Sequence, residues 1–238
     1  MLERAARPAV RTPLPLAATQ PVRASRGLAF IEPTSSATAL GACAKRSIDV
    51  VIALPTLMLL GPLMLIVAVA IKLDSPGPAL IAQERVSKGL RTFRMFKFRS
   101  MVANAGDLIG SLQALNEATP PLFKIRNDPR MTRLGRHLRR LSIDELPQLI
   151  NVLRGEMSLG GPRPPLVSEV VSDRWRQSMR LRQAPGMTGL WQVSGRSDLG
   201  YESMIALDLR YMRDWSILLD ISILVRTPAV VLNGRGAH

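Results

Sequence analysis

Asp144 and Glu145 stand side by side in Ser142-Ile-Asp-Glu-Leu-Pro-Gln-Leu149, and Gly161-Pro-Arg-Pro164 follows shortly after. These are tools of phosphate chemistry. A carboxylate can attack phosphorus or hold a divalent cation, and a guanidinium fork grips phosphate oxygens. Asp144 suits the N-cap of a following helix, with Pro147 at its third position, where the missing N–H costs nothing. A carboxylate so placed stays ionised beside an anion-binding helix end. The same residues also fit an ordinary capping box, Ser142-x-x-Glu145, and alone they leave both readings open.

Basic residues gather around this pair. In the alternating run before Met101, Phe93, Met95, Lys97 and Arg99 share one strand face, so Lys97 and Arg99 can point together at an anion or simply into water. Lys124, Arg126, Arg130, Arg133, Arg136, Arg139 and Arg140 then follow with Asp128 as the sole acid among them. Arg139 lies five residues before Asp144, within reach of a phosphate held there. Pro162 and Pro164 stiffen the backbone on both sides of Arg163, which suits either a presented guanidinium or a solvated one.

The elements that must position these residues differ sharply in composition. Residues 1–41 mix Pro8, Pro13, Pro15, Pro21 and Pro33 with five arginines and no sustained period, which predicts a disordered tail. Val50–Ile71 has no charged residue, and its 22 residues would cross a bilayer core as one straight helix. Pro55 and the Gly61-Pro62 pair oppose straightness. Lys45 and Arg46 precede the run and Lys72 follows it, so the positive-inside tendency favours entry and exit by the same face, a re-entrant helix over 42–73; a kinked spanning helix also fits. Residues 74–238 are then the remaining domain, which holds the acidic pair and most of the basic residues around it. The spacing predicts a hairpin over Ala79–Met101 turning near Lys88-Gly89, a helix over Ala103–Ala118, and an apolar helix face at Leu149, Val152 and Leu153. Pro185–Ser197 reads as a glycine-punctuated loop or short strand suited to close approach to a ligand, with Trp191 in the core. Tyr201–Leu232 reads as amphipathic helix for the headgroup region or the domain core.

A net charge of +14 over 238 residues calls for an anionic partner: nucleic acid, an acidic membrane surface or a phosphorylated substrate. Aromatics make up only 4% and no groove-reading or base-stacking motif accompanies the arginines, which argues against nucleic acid. Cys43 is the only cysteine, and His137 and His238 the only histidines, so disulfides, thiolate metal sites and histidine triads are set aside.

The order of these pieces is specific. From Lys45-Arg-Ser-Ile-Asp49 through Lys72-Leu-Asp-Ser-Pro-Gly-Pro78, Phe96-Lys-Phe-Arg-Ser-Met101, Asp144-Glu145, Gly161-Pro-Arg-Pro164, Pro185–Ser197 and Leu207-Asp208 to Gly234-Arg-Gly-Ala237, the chain resembles the bacterial sugar transferases, small monotopic phosphoglycosyltransferases of the exopolysaccharide-initiating type. The resemblance implies a helix-rich α+β catalytic domain with a re-entrant helix, a small hairpin and interfacial amphipathic helices, on the cytoplasmic face of the bacterial inner membrane. It implies transfer of hexose 1-phosphate from a UDP-hexose, galactose or glucose, to undecaprenyl phosphate with release of UMP. Asp144 would be the nucleophile of an aspartyl phosphosugar intermediate and Glu145 the ligand of Mg²⁺. Lys97, Arg139, Arg163 and Arg196 would bind phosphates or nucleotide, with Asp208 and Asp220 in support. A homo-oligomer is compatible with this assignment, and the sugar itself is not legible. Two departures stand out: Gly61 replaces the serine many relatives carry before the proline, and Ala184 stands where relatives place a cation, with Arg182 nearby.

Overall fold

In the computed structural model, which describes residues 36–117, 123–172, 177 and 179–234, the apolar segment forms a single helix, α1 (Ser36–Asp74). It is long and apolar enough to cross a membrane. It continues through Pro55 and Pro62, so the break expected at Gly61 and Pro62 does not divide it. Each proline removes one backbone bond while the bonds on either side persist, and Thr56 Oγ1 donates to the Ile52 carbonyl at 2.7 Å, back-bonding of a kind that bends a helix without ending it. The boundary of the expected tail also moves. Ser36–Gly41 belong to α1, where alanine and leucine favour helix once the prolines stop, and residues 1–35 lie outside the described residues.

One face of α1 packs on the domain and the other is bare. Ala53, Val67 and Ile71 are buried, whereas Val51, Met58, Leu59, Leu65, Ile66 and Leu73 are exposed. Both ends are tied to the same body. Near the start, Lys45 pairs with Asp220 at 2.7 Å, Arg46 donates to the carbonyls of Val152 and Leu153, and Asp49 accepts from Ser158 Oγ and the Leu159 N–H. At the far end Arg99 donates to the carbonyls of Ile71, Ser75 and Pro76. Arg99 is thus spent on closing the helix and does not join Lys97 at an anion.

The predicted hairpin forms as β1 (Leu80–Val86) antiparallel to β2 (Thr92–Phe98), with Gly89 at φ +68° in the turn. Phe93 and Met95 turn inward against Leu149 and Val152 of α3 (Gln148–Arg154), while α2 (Arg133–Arg140) lies before α3. The helix expected from Ala103 to Ala118 is instead a series of turns and a 3-10 helix (Gly110–Leu115), because Gly106 and Gly110 interrupt the run and Asn104 and Asp107 favour turns; Ala118 lies outside the described residues.

A second, parallel pair joins β3 (Ser158–Gly160) to β4 (Gly186–Thr188), on either side of α4 (Val167–Ser172). A side chain at Gly186 would fall 2.1 Å from the Gly161 nitrogen. The glycines of this region therefore serve backbone against backbone rather than backbone against ligand. After α5 (Leu190–Ser194), the single amphipathic stretch resolves into α6 (Tyr201–Arg213) and α7 (Ile217–Asn233), separated where Ser216 caps α7 by accepting from the Leu219 N–H. Trp191 packs on Tyr201, Met204 and Ile205, as a core residue.

Candidate active site

The acidic pair does not cap α3. Ile143–Glu145 form a separate 3-10 turn, Pro147 occupies the position before α3, and Ser142 ahead of the turn adopts a left-handed conformation at φ +52°. Ser142 makes no capping bond; its hydroxyl accepts from Arg196 Nη2. Arg196 is itself left-handed, at φ +53°. Two non-glycine residues in this costly conformation face each other across the site.

Asp144 is 6% exposed. Burial pushes its carboxyl above the ordinary aspartate range, against the opposing pull of the Lys97 ammonium and the Arg139 guanidinium. Glu145 goes the other way. Burial would raise it too, but Lys97 lies 3.0 Å from Oε1 and, with Arg196 and Arg139, carries it below the ordinary glutamate range. Environment has split two adjacent carboxyls into a firm anion and a poorly solvated one that becomes strongly nucleophilic when ionised.

Strand β2 delivers Lys97, and a buried asparagine fixes the strand. Asn151 on α3 accepts from the Phe96 N–H at 2.9 Å and donates to the Arg94 carbonyl at 2.8 Å, so the strand cannot slide past the acidic turn. Helix α2 delivers Arg139, whose Nε donates to Ser100 Oγ at 3.0 Å. Gly135 makes that approach possible, since a Cβ there would meet the Ser100 carbonyl oxygen at 1.9 Å. Lys97, Arg139 and Arg196 thus surround Asp144 and Glu145 from three elements.

Arg163 is engaged differently. Its Nη1 pairs with buried Glu169 at 2.8 Å, its N–H donates to Asp208, and its carbonyl accepts from Arg180. Asp208 is fully buried and bound by Arg180 at 2.5 Å, so its supporting role is to anchor the Pro-Arg-Pro loop. Asp220 supports something else: it accepts from Lys45, Tyr211 and Trp215, a clamp on the first turns of the apolar segment. One residue escaped sequence reasoning. Arg85, on β1, is buried, donates to the Pro164 carbonyl and Gln83, and keeps its Nε without a partner among the described residues. Burial and the neighbouring Arg163 bring its guanidinium down to about 9. The only signal was a charge inside a strand, which is normally read as solvent-facing.

No cluster of three metal-ligating side chains occurs among the described residues. Mg²⁺ does not need one, because it takes one or two carboxylates and fills its shell with water and substrate phosphates, and the Asp144–Glu145 pair fits that demand.

A carboxylate pair in a ring of cations is a site suited to phosphate chemistry, and it is carried on the same body as a long apolar helix. The chain belongs to the bacterial sugar transferase family, whose model matches residues 40–234. It is 39% identical over 212 residues to the exopolysaccharide production protein ExoY of Sinorhizobium fredii, covering 86% of this chain and 92% of that protein. It is 43% identical over 195 residues to the galactosyl transferase CpsE of Streptococcus agalactiae, and 41% identical over 203 residues to an undecaprenyl-phosphate galactose phosphotransferase of Salmonella typhimurium. These last two alignments each cover 82% of this chain, but only 43% and 41% of the respective relatives' length.

Proposed function

We propose that this enzyme transfers hexose 1-phosphate from a UDP-hexose to undecaprenyl phosphate, giving the lipid diphosphate sugar and UMP, by two displacements at one phosphorus. The observation that carries this is the split acidic pair, Asp144 raised and Glu145 lowered, within a ring of Lys97, Arg139 and Arg196. An Asp144 carboxylate oxygen attacks the sugar-side phosphorus; a new P–O bond forms, the diphosphate P–O bond breaks, and UMP leaves with the electron pair. An oxygen of the lipid phosphate then attacks the same phosphorus, and the acyl phosphate bond breaks to return Asp144. Lys97, Arg139 and Arg196 hold and neutralise the phosphoryl oxygens in both steps. Mg²⁺, held by Glu145, would supply charge neutralisation on the diphosphate.

Galactose and glucose are the candidate sugars, since both occur in the names of relatives. The enzyme works on the cytoplasmic face of the bacterial inner membrane. Entry and exit of the helix by one face is the topology we infer, supported by the bonds that residues at both ends of the apolar run make to the same domain. Mass spectrometry of enzyme quenched with UDP-galactose or UDP-glucose alone tests the chemistry. The expected result is a hexose-phosphate adduct on Asp144, with UMP released; in Asp144→Asn both are lost. An adduct on another residue, or turnover by Asp144→Asn, overturns the mechanism.

A further inference from the structure

A cavity of about 220 Å³ is linked to the acidic pair through Arg139, which lines it and whose charge acts on both carboxyls. Its lining includes Pro78, Ile81, Met101 and Ala103 together with Arg99, Ser100 and Arg139, and it contains no carboxylate. Only the Nε of Arg139 is engaged among the described residues, and the buried Nε of Arg99 has no partner. The cavity is cationic at one side and hydrocarbon elsewhere. It is smaller than the roughly 300–1,000 Å³ of pockets that enclose whole small-molecule ligands, so it is too tight for a nucleotide sugar. It also lies at the foot of α1, because Arg99 binds the carbonyls of Ile71, Ser75 and Pro76, and Leu73, Leu80 and Ile81 are exposed nearby.

We propose that this cavity receives the phosphate and first isoprene unit of the lipid acceptor, apart from the nucleotide of the donor; this rests on the reading given under Proposed function. An amphiphile arriving along the apolar helix matches each surface in turn. Its phosphate meets Arg139, whose charge also acts on Asp144, and is thereby delivered next to the phosphorus it must attack. Its branched hydrocarbon replaces water against Ile81, Met101 and Ala103.

Ala103→Trp, at an exposed position, fills the cavity without disturbing the core. With undecaprenyl phosphate in detergent, KM for the lipid should rise about tenfold or more while KM for UDP-sugar changes less than about twofold. UMP formed in the first turnover without lipid should be unchanged. Ala105→Leu serves as a second, smaller plug with the same expected direction, and thermal melts show whether each variant is folded. Equal effects on both KM values would assign the cavity to the donor, and unchanged KM for the lipid in both folded variants would leave it without a ligand; either overturns the proposal. If the wild-type enzyme releases no UMP without lipid, the two-displacement reading fails, while the cavity assignment still stands or falls on the two KM values.

Discussion

At the scale of the residue, the unusual feature is a buried carboxyl kept at a cost, that of Asp144, the proposed nucleophile. A carboxyl whose folded pKa is raised above its unfolded value binds its proton more tightly in the native state, so its ionisation opposes folding as pH rises through the raised value. Asp144→Asn removes that ionisation. The variant should be inactive yet melt at a higher temperature than wild type near neutral pH, with the difference closing in acid, where the native carboxyl is also neutral. Thermal melts across pH check this, and a less stable variant at neutral pH would contradict it. The activity profile follows the same sign. The acid limb of kcat/KM should lie above the ordinary aspartate range, and Lys97→Met should move it higher while lowering the rate, because the largest opposing charge is gone.

Elements set the distances that this chemistry needs. Helix α2 packs against Ser100, just past the end of β2, only because position 135 has no side chain, and the same contact puts Arg139 on Ser100. Gly135→Ala should cost about 1–3 kcal/mol by overpacking. It should also lower kcat more than tenfold at temperatures where circular dichroism shows a folded enzyme, since Arg139 is displaced with its helix. The Pro-Arg-Pro loop depends likewise on Asp208, which is fully buried with Arg180. Asp208→Ala leaves a buried guanidinium without its anion and should destabilise the fold by about 3–5 kcal/mol, measurable by denaturant titration.

At the scale of the whole molecule, exposed apolar surface is concentrated on two helices. Exposed Met58, Leu59, Leu65 and Ile66 on α1 and Leu218, Val225 and Leu232 on α7 form apolar surface beyond what single scattered residues would explain. Cysteines placed at Ala42 and Asp74, in a Cys43→Ser background, should both react with an impermeant reagent from the cytoplasmic side alone. Labelling from opposite sides would establish a crossing helix. Pro62→Leu restores a backbone bond where interior proline costs roughly 3 kcal/mol and should shift the helix toward crossing, with loss of activity.

The sequence by itself determined what depends on local pattern and residue type. The apolar run, the hairpin turning at Gly89, the inward face of α3 and the Asp144–Glu145 pair follow from periodicity, from glycine's freedom at positive φ and from the rarity of adjacent carboxylates among so many cations. Tertiary structure decided what depends on partners distant in the chain. Only the fold shows that Asp144 lies in a separate 3-10 turn, that Arg99 donates to the carbonyls closing a helix, that Asp220 clamps Lys45, and that Arg85 is buried. Guanidinium and carboxylate groups carry no mark of their destination. Whether each becomes a ligand, an anchor or a cap is fixed by which backbone carbonyls and counter-charges the fold brings within hydrogen-bond distance.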